Sequence, residues 1–537
     1  MTALRLLVWH RLRRDRVQIP AWIGSFAALI VLAVVGLQDS FGSVAERTAL
    51  ISLAAANPAI LFLRGAPQGT DVDAVLVFTL FSFLGILVGL MNTFLAVRHS
   101  RAEEDSGRAA LIAATPAARW TPALSTLVYG LGVNLVLFVA VSGCFAVAGL
   151  DAAGSVVAGL ALAATGVTFL AVGLVASELM PSARAANSVG VGVVLISYLL
   201  RGLGDAFGTV SDDGVRVDSA WPAWLSPIGW ANRTRPFTEN ALAPLLVSLA
   251  VAAVLLGVAA LLLARRDAGA SVVAVGIGRP AARRSLAGPV GLAWRLQWPS
   301  IVAWAAGGAV FGIFGGALAP ALDDGTLGGS VISDELTRLT GGADLAEAFT
   351  TVIFSLVGIL AAAGGIQAII RLRQEEAGET GALMLATPLS RLGWLGSYLI
   401  VGAVAVLAVV TAGALASVVA AFVVGVRENS AHAVLAAAVQ VPAALLFLGA
   451  AALAWALVPR FTAGIAWGGL GLAMFLGIFG PLVGLPDWAV DLSPFRHSPE
   501  PQGTDTDWSA GIVMVMLALV TGAAASVFFR RRDLAGG

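Results

Sequence analysis

The sequence contains no lysine, so all 32 of its lysine-or-arginine positions are arginine. A P-loop of the GxxxxGK[ST] type needs its lysine for the phosphates, so this chain cannot hydrolyse ATP with that machinery. The single cysteine, Cys144, excludes internal disulfides and cysteine metal clusters. The four histidines are scattered, away from carboxylates at metal-ligand spacing, and no GxSxG or HExxH signature occurs. We therefore expect no enzyme activity, no metal and no cofactor in this chain.

Charge is also scarce. Only 12% of the residues are charged, 58% are hydrophobic and the mean hydropathy is +0.90. A membrane span needs about 20 mostly apolar residues. We therefore predict an all-α integral membrane protein with about 12 transmembrane helices. The apolar runs cover residues 19–37, 75–97, 123–149, 155–177, 187–204, 242–264, 299–320, 350–370, 395–425, 433–457, 464–483 and 510–529.

The distribution of arginine gives the orientation. With the N-terminus inside, 23 of the 32 arginines lie on the cytoplasmic side of the predicted topology. This bias follows the positive-inside rule. We therefore expect a multi-pass protein of the plasma membrane with both termini in the cytoplasm. Because each half then has six spans, the halves are parallel repeats about an axis along the membrane normal.

A charged hairpin occurs twice. Residues 101–119 return as residues 373–391 after an offset of 272 without a gap, and nine of the nineteen positions are identical. The motif EExxxxxALxxATPxxR is common to both copies. Each half also ends on the tag Arg-Arg-Asp. This predicts a first transmembrane half at 1–269, a cytoplasmic linker at 270–288 and a second transmembrane half at 289–537.

Short surface helices are expected beside the spans. The N-terminal residues 1–20 alternate basic and apolar side chains and lack a cleavage site, so they predict an amphipathic helix in the inner interface. Residues 291–300 are its less basic counterpart. The polar regions 38–74 and 321–349 are each long enough for one surface helix.

Ionisable groups are nearly absent from the spans. Glu178 and Arg201 lie at predicted span ends, where interfacial snorkelling is expected. The main buried amides, Asn92, Asn134, Gln367 and Gln440, are typical of bonds between helices. Secondary carriers usually keep coupling-ion groups deep in the membrane, so the driving force for transport is expected to come from outside this chain.

The repeated hairpin is a candidate contact for a soluble motor. Glu103 and Glu104 would favour the first turn of a short helix and offer carboxylates to a basic partner. The alternative is that these charges only fix the topology and solvate a turn. The second copy, which aligns without a gap, favours the interpretation that the hairpins contact a soluble motor.

The segments EEDSGRAALIAATPAAR and EEAGETGALMLATPLSR resemble the first cytoplasmic loop of ABC-2-type exporter permeases. The whole chain is similar to the fused two-half actinobacterial form, which exports tetronasin, polyketide antibiotics or other drugs. The resemblance implies interfacial elbow helices, cytoplasmic coupling helices and two copies of a separate ABC ATP-binding subunit, which holds ATP and Mg²⁺. It assigns ATPase coupling to eight residues: Arg101, Glu103, Glu104, Arg119, Arg373, Glu375, Glu376 and Arg391.

The same resemblance implies alternating access, with a substrate pathway where the halves meet. The candidate lining residues are Phe78, Phe81, Phe83, Asn92, Phe354 and Gln367. We expect hydrophobic or amphipathic small molecules as cargo, membrane lipid as a neighbour and no nucleic acid as a partner. Two alternatives stay open: an ion-coupled secondary multidrug or lipid transporter, and a membrane-embedded enzyme or lipid scaffold.

Overall fold

The computed structural model describes residues 2–40, 42–267, 269–273, 286, 288–323, 345–424, 430–479, 486–499 and 506–533. The chain divides into two compact units, Met1–Ile277 and Gly278–Gly537. Most of the predicted linker 270–288 and of the predicted surface helix at 321–349 lies outside the described residues.

The first unit is helical, with one small sheet. Its helices are α1 Thr2–Arg14, α2 Gln18–Ser40, α3 Val44–Ala56, α4 Pro58–Arg64, α5 Val72–Arg98, α6 Arg101–Asp105, α7 Arg108–Ala113, α8 Thr121–Val147, α9 Ala152–Leu179, α10 Ala183–Ala206, α11 Pro227–Asn232 and α12 Ala243–Arg265. The strands Thr209–Val210 and Val217–Asp218 pair antiparallel. A single-turn 3₁₀ helix, Trp221–Leu225, precedes α11.

In the described part of the second unit all regular secondary structure is helical. Its helices are α13 Pro289–Asp323, α14 Leu345–Ala377, α15 Thr380–Leu385, α16 Arg391–Val424, α17 Ser430–Ala438, α18 Val441–Leu457, α19 Thr462–Met474, α20 Asp487–Val490 and α21 Ser509–Arg531. Short 3₁₀ helices occur at Pro459–Phe461 and Pro494–His497, and a π-helical turn at Phe475–Phe479 extends α19.

Eleven helices of the described chain are long and apolar enough to cross a membrane. They coincide with eleven of the twelve predicted spans, so the prediction of an all-α integral membrane protein is confirmed. The remaining predicted span, 464–483, begins in α19 and its π-helical turn, and its last four residues lie outside the described residues. The predicted span at 433–457 is divided into α17 and α18 just before Pro442, whose missing N–H interrupts helical bonding.

Two surface predictions differ from the structure. The segment 291–300 is not a separate elbow helix but the beginning of the continuous helix α13, because it has no polar turn like the Asp15-Arg16-Val17 break that follows α1. Arg201 does not snorkel. It is fully buried and bonded to Asp205 and to the carbonyl groups of α4, because α4 packs against α10.

Close helix contacts form where side chains are small. In the second unit α13 packs against α16 through Gly308, Gly312 and Gly316, spaced by four residues. A Cβ atom at Gly312 would lie 2.0 Å from the carbonyl oxygen of Gly413. This spacing is the small-xxx-small pattern that lets membrane helices approach closely. In the first unit α9 occupies the centre, packed against α5, α8 and α12.

Candidate functional site: the two repeated hairpins

Hairpin 1 is defined as residues 101–119. Its two short helices, α6 and α7, are joined at Gly107, whose φ of 74° is readily adopted only without a side chain. The one short helix predicted to begin at Glu103 and Glu104 is divided in two: these residues lie in α6, and the Ala-Leu run that follows Gly107 forms α7. The exposed face of α7 carries Leu111, of which 72% is accessible.

Glu104 binds hairpin 1 to the end of α12. Its Oε1 and Oε2 atoms accept hydrogen bonds from Arg266 at 2.5 and 2.9 Å, and Oε2 also accepts one from Arg101 at 2.8 Å. The Nε atom of Arg266 lies 2.8 Å from Oε2 of Glu178, at the end of α9. One guanidinium therefore connects α6, α9 and α12. The contact of two Arg266 nitrogens with the carboxylate of Glu104 is geometrically specific.

Glu103 faces the N-terminal helix instead. Arg14 donates a hydrogen bond to Oε1 of Glu103 at 3.0 Å, and Arg11 lies 3.9 Å from its Oε2. Arg11 is almost completely buried and also donates to the carbonyl oxygens of His99 and Pro122, both at 3.0 Å. Burial lowers the pKa of Arg11 to about 10, which leaves it charged at neutral pH. The predicted interfacial helix is therefore bonded to the base of hairpin 1.

A second contact to the N-terminal segment lies beside the first. Asp15 accepts from Nε2 of His99 at 2.6 Å and from the hydroxyl of Tyr129 at 3.1 Å, and it pairs with Arg98 at 3.0 Å. Burial alone would raise the pKa of Asp15, but the bond from His99 and the charge of Arg98 outweigh burial and lower it. Asp15 is therefore held as a carboxylate.

Two of the three arginines of hairpin 1, Arg101 and Arg119, bind backbone carbonyls. Arg101 donates to Pro181, which follows α9, at 2.9 Å, and to Ala270 at 2.7 Å. Arg119 donates to Leu263 in the last turn of α12 at 2.8 Å. Helix ends have unpaired carbonyl groups and a partial negative charge, so guanidinium groups stabilise them.

Hairpin 2, residues 373–391, makes matching contacts in its own unit. Glu376 pairs with Arg532 at 2.9 Å and accepts from the indole N–H of Trp455 at 2.8 Å. Arg373 donates to Pro459 at 2.9 Å, and Arg391 donates to Phe529 at 3.2 Å. Glu375 differs from its counterpart: its ion-pair partner is Arg371, 3.7 Å away in the preceding turn of α14.

Both hairpins are thus bonded to the end of the last long helix of their unit. The pairs Glu104–Arg266 and Glu376–Arg532 form what we call the latch. Sequence reasoning missed Arg266 and Arg532, although the repeated Arg-Arg-Asp tag was the signal that could have found them. Because the carboxylates are engaged within the chain, the surface that each hairpin exposes is its short helix. Leu383 in α15 is 72% exposed, the same fraction as Leu111.

The candidate pathway residues are mostly interior to one unit. Phe81 and Phe354 are almost completely buried in the cores of the first and second unit. Asn92 exchanges two hydrogen bonds with Asn134, at 3.2 and 2.7 Å, between α5 and α8. Phe78 is buried beside a cavity of about 20 Å³, and Phe83 and Gln367 are partly buried. Their role as pathway residues stays a prediction.

Comparison with known proteins identifies the family. The family model described as "Multidrug efflux system permease Rv1217c, C-terminal domain" matches residues 12–263 and 286–530. The multidrug efflux system permease protein Rv1217c of Mycobacterium tuberculosis is 34% identical, with 97% of this chain and 94% of the relative covered. Together with the eleven apolar helices, these matches show that the chain belongs to the Rv1217c family of multidrug efflux permeases, as a multi-pass membrane protein.

Proposed function

We propose that this permease is the transmembrane subunit of an ATP-driven ABC exporter that moves hydrophobic or amphipathic drugs out of the cell by alternating access. The observation that carries the proposal is the latch. Each of two repeated hairpins exposes one short helix and is bonded on its inner side to the end of a long helix. This arrangement suits an element that transmits movement from a partner into the membrane.

Two copies of an ATP-binding subunit would contact the exposed faces of α7 and α15. Leu111 and Leu383, at equivalent positions, would each enter an apolar depression of one copy, because exposed apolar anchors contribute most where they become fully desolvated. ATP and Mg²⁺ are held by the partner, since this chain lacks the P-loop lysine. The proposed orientation has the hairpins and both termini in the cytoplasm, following the arginine bias.

The test is reconstitution in proteoliposomes with and without the ATP-binding subunit. We expect drug flux only with the partner and ATP, and we expect Leu111→Asp/Leu383→Asp to abolish flux and co-purification of the partner. The control cannot be an aspartate at an exposed leucine such as Leu246 or Leu519, because these positions lie within apolar spans and a charge there would disturb the fold itself. Glu239→Gln, in an exposed loop pair with Arg235, is the matched control and should retain flux. Flux without the partner would contradict the proposal.

An ion-coupled secondary transporter is the second candidate. The observation on its side is the buried pair Arg201–Asp205 at 2.9 Å in α10, since ionisable residues within spans often carry coupling ions. However, both terminal nitrogens of Arg201 donate within the chain, Nη1 to Asp205 and Nη2 to the carbonyl groups of Phe62 and Leu63, which indicates a structural role for the pair. Collapse of the proton gradient separates the two candidates: it stops a proton-coupled carrier and leaves an ATP-driven exporter active.

A further inference from the structure

The N-terminal helix α1 has one bound face and one open face. It packs against α8, and Arg11 and Arg14 bind groups at the base of hairpin 1. The open face is defined by the exposed residues of α1 and of the turn that follows it, which are Arg5, Leu6, Trp9, His10, Leu12, Arg13, Arg16 and Val17. Cations and large apolar side chains thus share one surface, directly before the first span, which begins at Gln18.

The open face carries positive charge that the chain does not neutralise. Arg5, Arg13 and Arg16 form no ion pair with a carboxylate among the residues that the structure describes. Asp15 is the only acidic residue in positions 1–20, and it is buried and paired with Arg98. Three exposed guanidinium groups therefore stand without a counter-charge, and such a surface attracts an anionic partner.

The same face exposes apolar groups. Leu6 is 67% accessible and Trp9 is 54% accessible, and the guanidinium of Arg13 lies over Trp9, 5.1 Å from the ring centroid. A soluble anion would neutralise the arginines but would leave these apolar side chains in water. A leaflet with anionic headgroups matches both features, because Leu and Trp enter the boundary between headgroups and acyl chains while Arg reaches the phosphates. The open face therefore fits an anionic phospholipid.

The bound face connects α1 to hairpin 1. Arg14 donates a hydrogen bond to Glu103 at 3.0 Å. Arg11, which is almost completely buried, donates to the carbonyl oxygen of His99 at 3.0 Å, just before the hairpin begins. An interaction that holds α1 in place therefore also restrains the first residues of hairpin 1.

The second unit has a different arrangement. The corresponding segment 291–300 is the beginning of α13 and contains a single arginine, Arg295. Glu375, the counterpart of Glu103, pairs with Arg371 of its own helix. A response that passes through Arg14 and Glu103 is therefore expected in hairpin 1 and not in hairpin 2.

We propose that the open face of α1 binds anionic phospholipids of the adjoining leaflet, and that this binding orders hairpin 1 through Arg11 and Arg14. The permease would then respond to the charge of the membrane at one of its two hairpins. As a control of transport, this inference rests on the proposed function. As lipid binding and ordering of hairpin 1, it needs neither ATP nor a partner subunit.

Hydrogen exchange of the purified permease in nanodiscs tests the inference. One set of nanodiscs contains phosphatidylcholine alone, and the other contains phosphatidylcholine mixed with phosphatidylglycerol. We expect the anionic lipid to raise the protection of the α1 amides at least about tenfold, and to raise the protection of the α6 amides as well, while α15 in hairpin 2 stays unchanged. Salt at about 1 M should remove the gain, because the Debye length is then about 3 Å.

Matched variants distinguish the open face from positive charge in general. Arg5→Gln/Arg13→Gln/Arg16→Gln should remove the gain in protection from both α1 and α6. The control removes three exposed arginines elsewhere in the chain and should retain the gain: Arg184→Gln/Arg216→Gln/Arg460→Gln. Glu103→Gln removes the ion pair with Arg14, so it should retain the gain in α1 and lose the gain in α6.

Several outcomes would overturn the inference. They are equal protection in the two kinds of nanodisc, a full gain in the triple variant of α1, a gain produced by soluble glycerol phosphate in phosphatidylcholine nanodiscs, an equal gain in α6 and α15, or an undiminished α6 gain in Glu103→Gln. Protection of α1 by the ATP-binding subunit but not by phosphatidylglycerol would assign the open face to that subunit and would also overturn it. Lipid-dependent protection without ATP-driven flux would refute the proposed function and retain this inference, and flux without a lipid response would do the reverse.

Discussion

The Oε1 atom of Glu104 lies 2.5 Å from the Nη2 atom of Arg266, although 162 residues separate the two in sequence. Glu376 and Arg532 repeat this relationship at 2.9 Å in the second unit. A hairpin carboxylate thus binds the guanidinium that follows the last long helix, twice in one chain. The duplication indicates that the contact is a general part of this architecture and not an accident of one loop.

The latch should contribute to stability. Replacing Glu104 by Gln leaves Arg266 without its main partner, and we expect the free energy of unfolding to fall by about 2 kcal/mol, as for other hydrogen bonds to charged groups. A double-mutant cycle with Arg266→Met, followed by thermal unfolding in detergent, measures the interaction. Additive losses in the two single variants would show that the pair does not interact.

The glycine contact of α13 with α16 should not accept a larger residue. A Cβ atom at Gly312 would overlap the carbonyl oxygen of Gly413, so Gly312→Ala should lower the free energy of unfolding by about 1–3 kcal/mol, as overpacking does. Gly307→Ala is the control on the same helix, because its nearest neighbour is a side-chain methyl of Leu360 at 3.4 Å. Equal melting temperatures for the two variants would refute this packing.

The amide pair of α5 and α8 distinguishes a structural role from a pathway role for Asn92. Asn92→Ala leaves Asn134 buried without its partner and should destabilise the protein by about 1–3 kcal/mol, whereas Asn92→Leu/Asn134→Leu removes both polar groups and should cost less. Thermal unfolding gives the stabilities. Drug competition assays test the pathway role. If Asn92→Ala changes the cargo selectivity and leaves the stability unchanged, Asn92 lies on the pathway.

Attachment of the N-terminal helix should depend on pH through Asp15. The pKa of Asp15 is lowered in the folded protein. Its contribution to the stability of the folded state is therefore complete above the ordinary pKa of 3.8 and is lost as the pH falls through the lower pKa of the folded state. The protection of the α1 amides against hydrogen exchange, measured relative to the intrinsic rate at the same pH, should therefore fall on acidification to that range. In the Asp15→Asn variant the α1 amides should be poorly protected already at neutral pH, and their protection should show no such loss on acidification. A loss of equal size in the variant would assign the effect to another group.

Hydropathy predicted most of the fold because a helix in lipid must be apolar over its whole length. It did not predict where helices stay continuous or break. The segment 291–300 joins α13 without interruption, and Pro442 divides the span at 433–457. Such boundaries depend on single residues within apolar runs, which barely change the mean hydropathy.

Internal repetition in the sequence reveals the two hairpins, but it does not show which residues their side chains bind. Glu104 looks solvent-exposed from its local sequence, and only the folded chain brings Arg266 beside it. The same holds for Glu376, whose carboxylate meets Trp455 and Arg532. The position of Arg201 at a span end predicts an interfacial residue, because its actual partners, the carbonyl groups of Phe62 and Leu63, lie about 140 residues earlier. Pairings across long sequence distances leave little local signal.

The most direct test of the account is the ratio of drug transported to ATP hydrolysed by proteoliposomes that contain the permease and its ATP-binding subunit. In Glu104→Gln/Glu376→Gln the exposed faces of α7 and α15 are unchanged, but the hairpins lose the ion pairs of the latch with Arg266 and Arg532. We predict that ATP hydrolysis continues while drug transport falls at least about tenfold, in line with the usual size of coupling energies. An unchanged ratio of transport to hydrolysis would contradict the claim that the hairpins transmit the work.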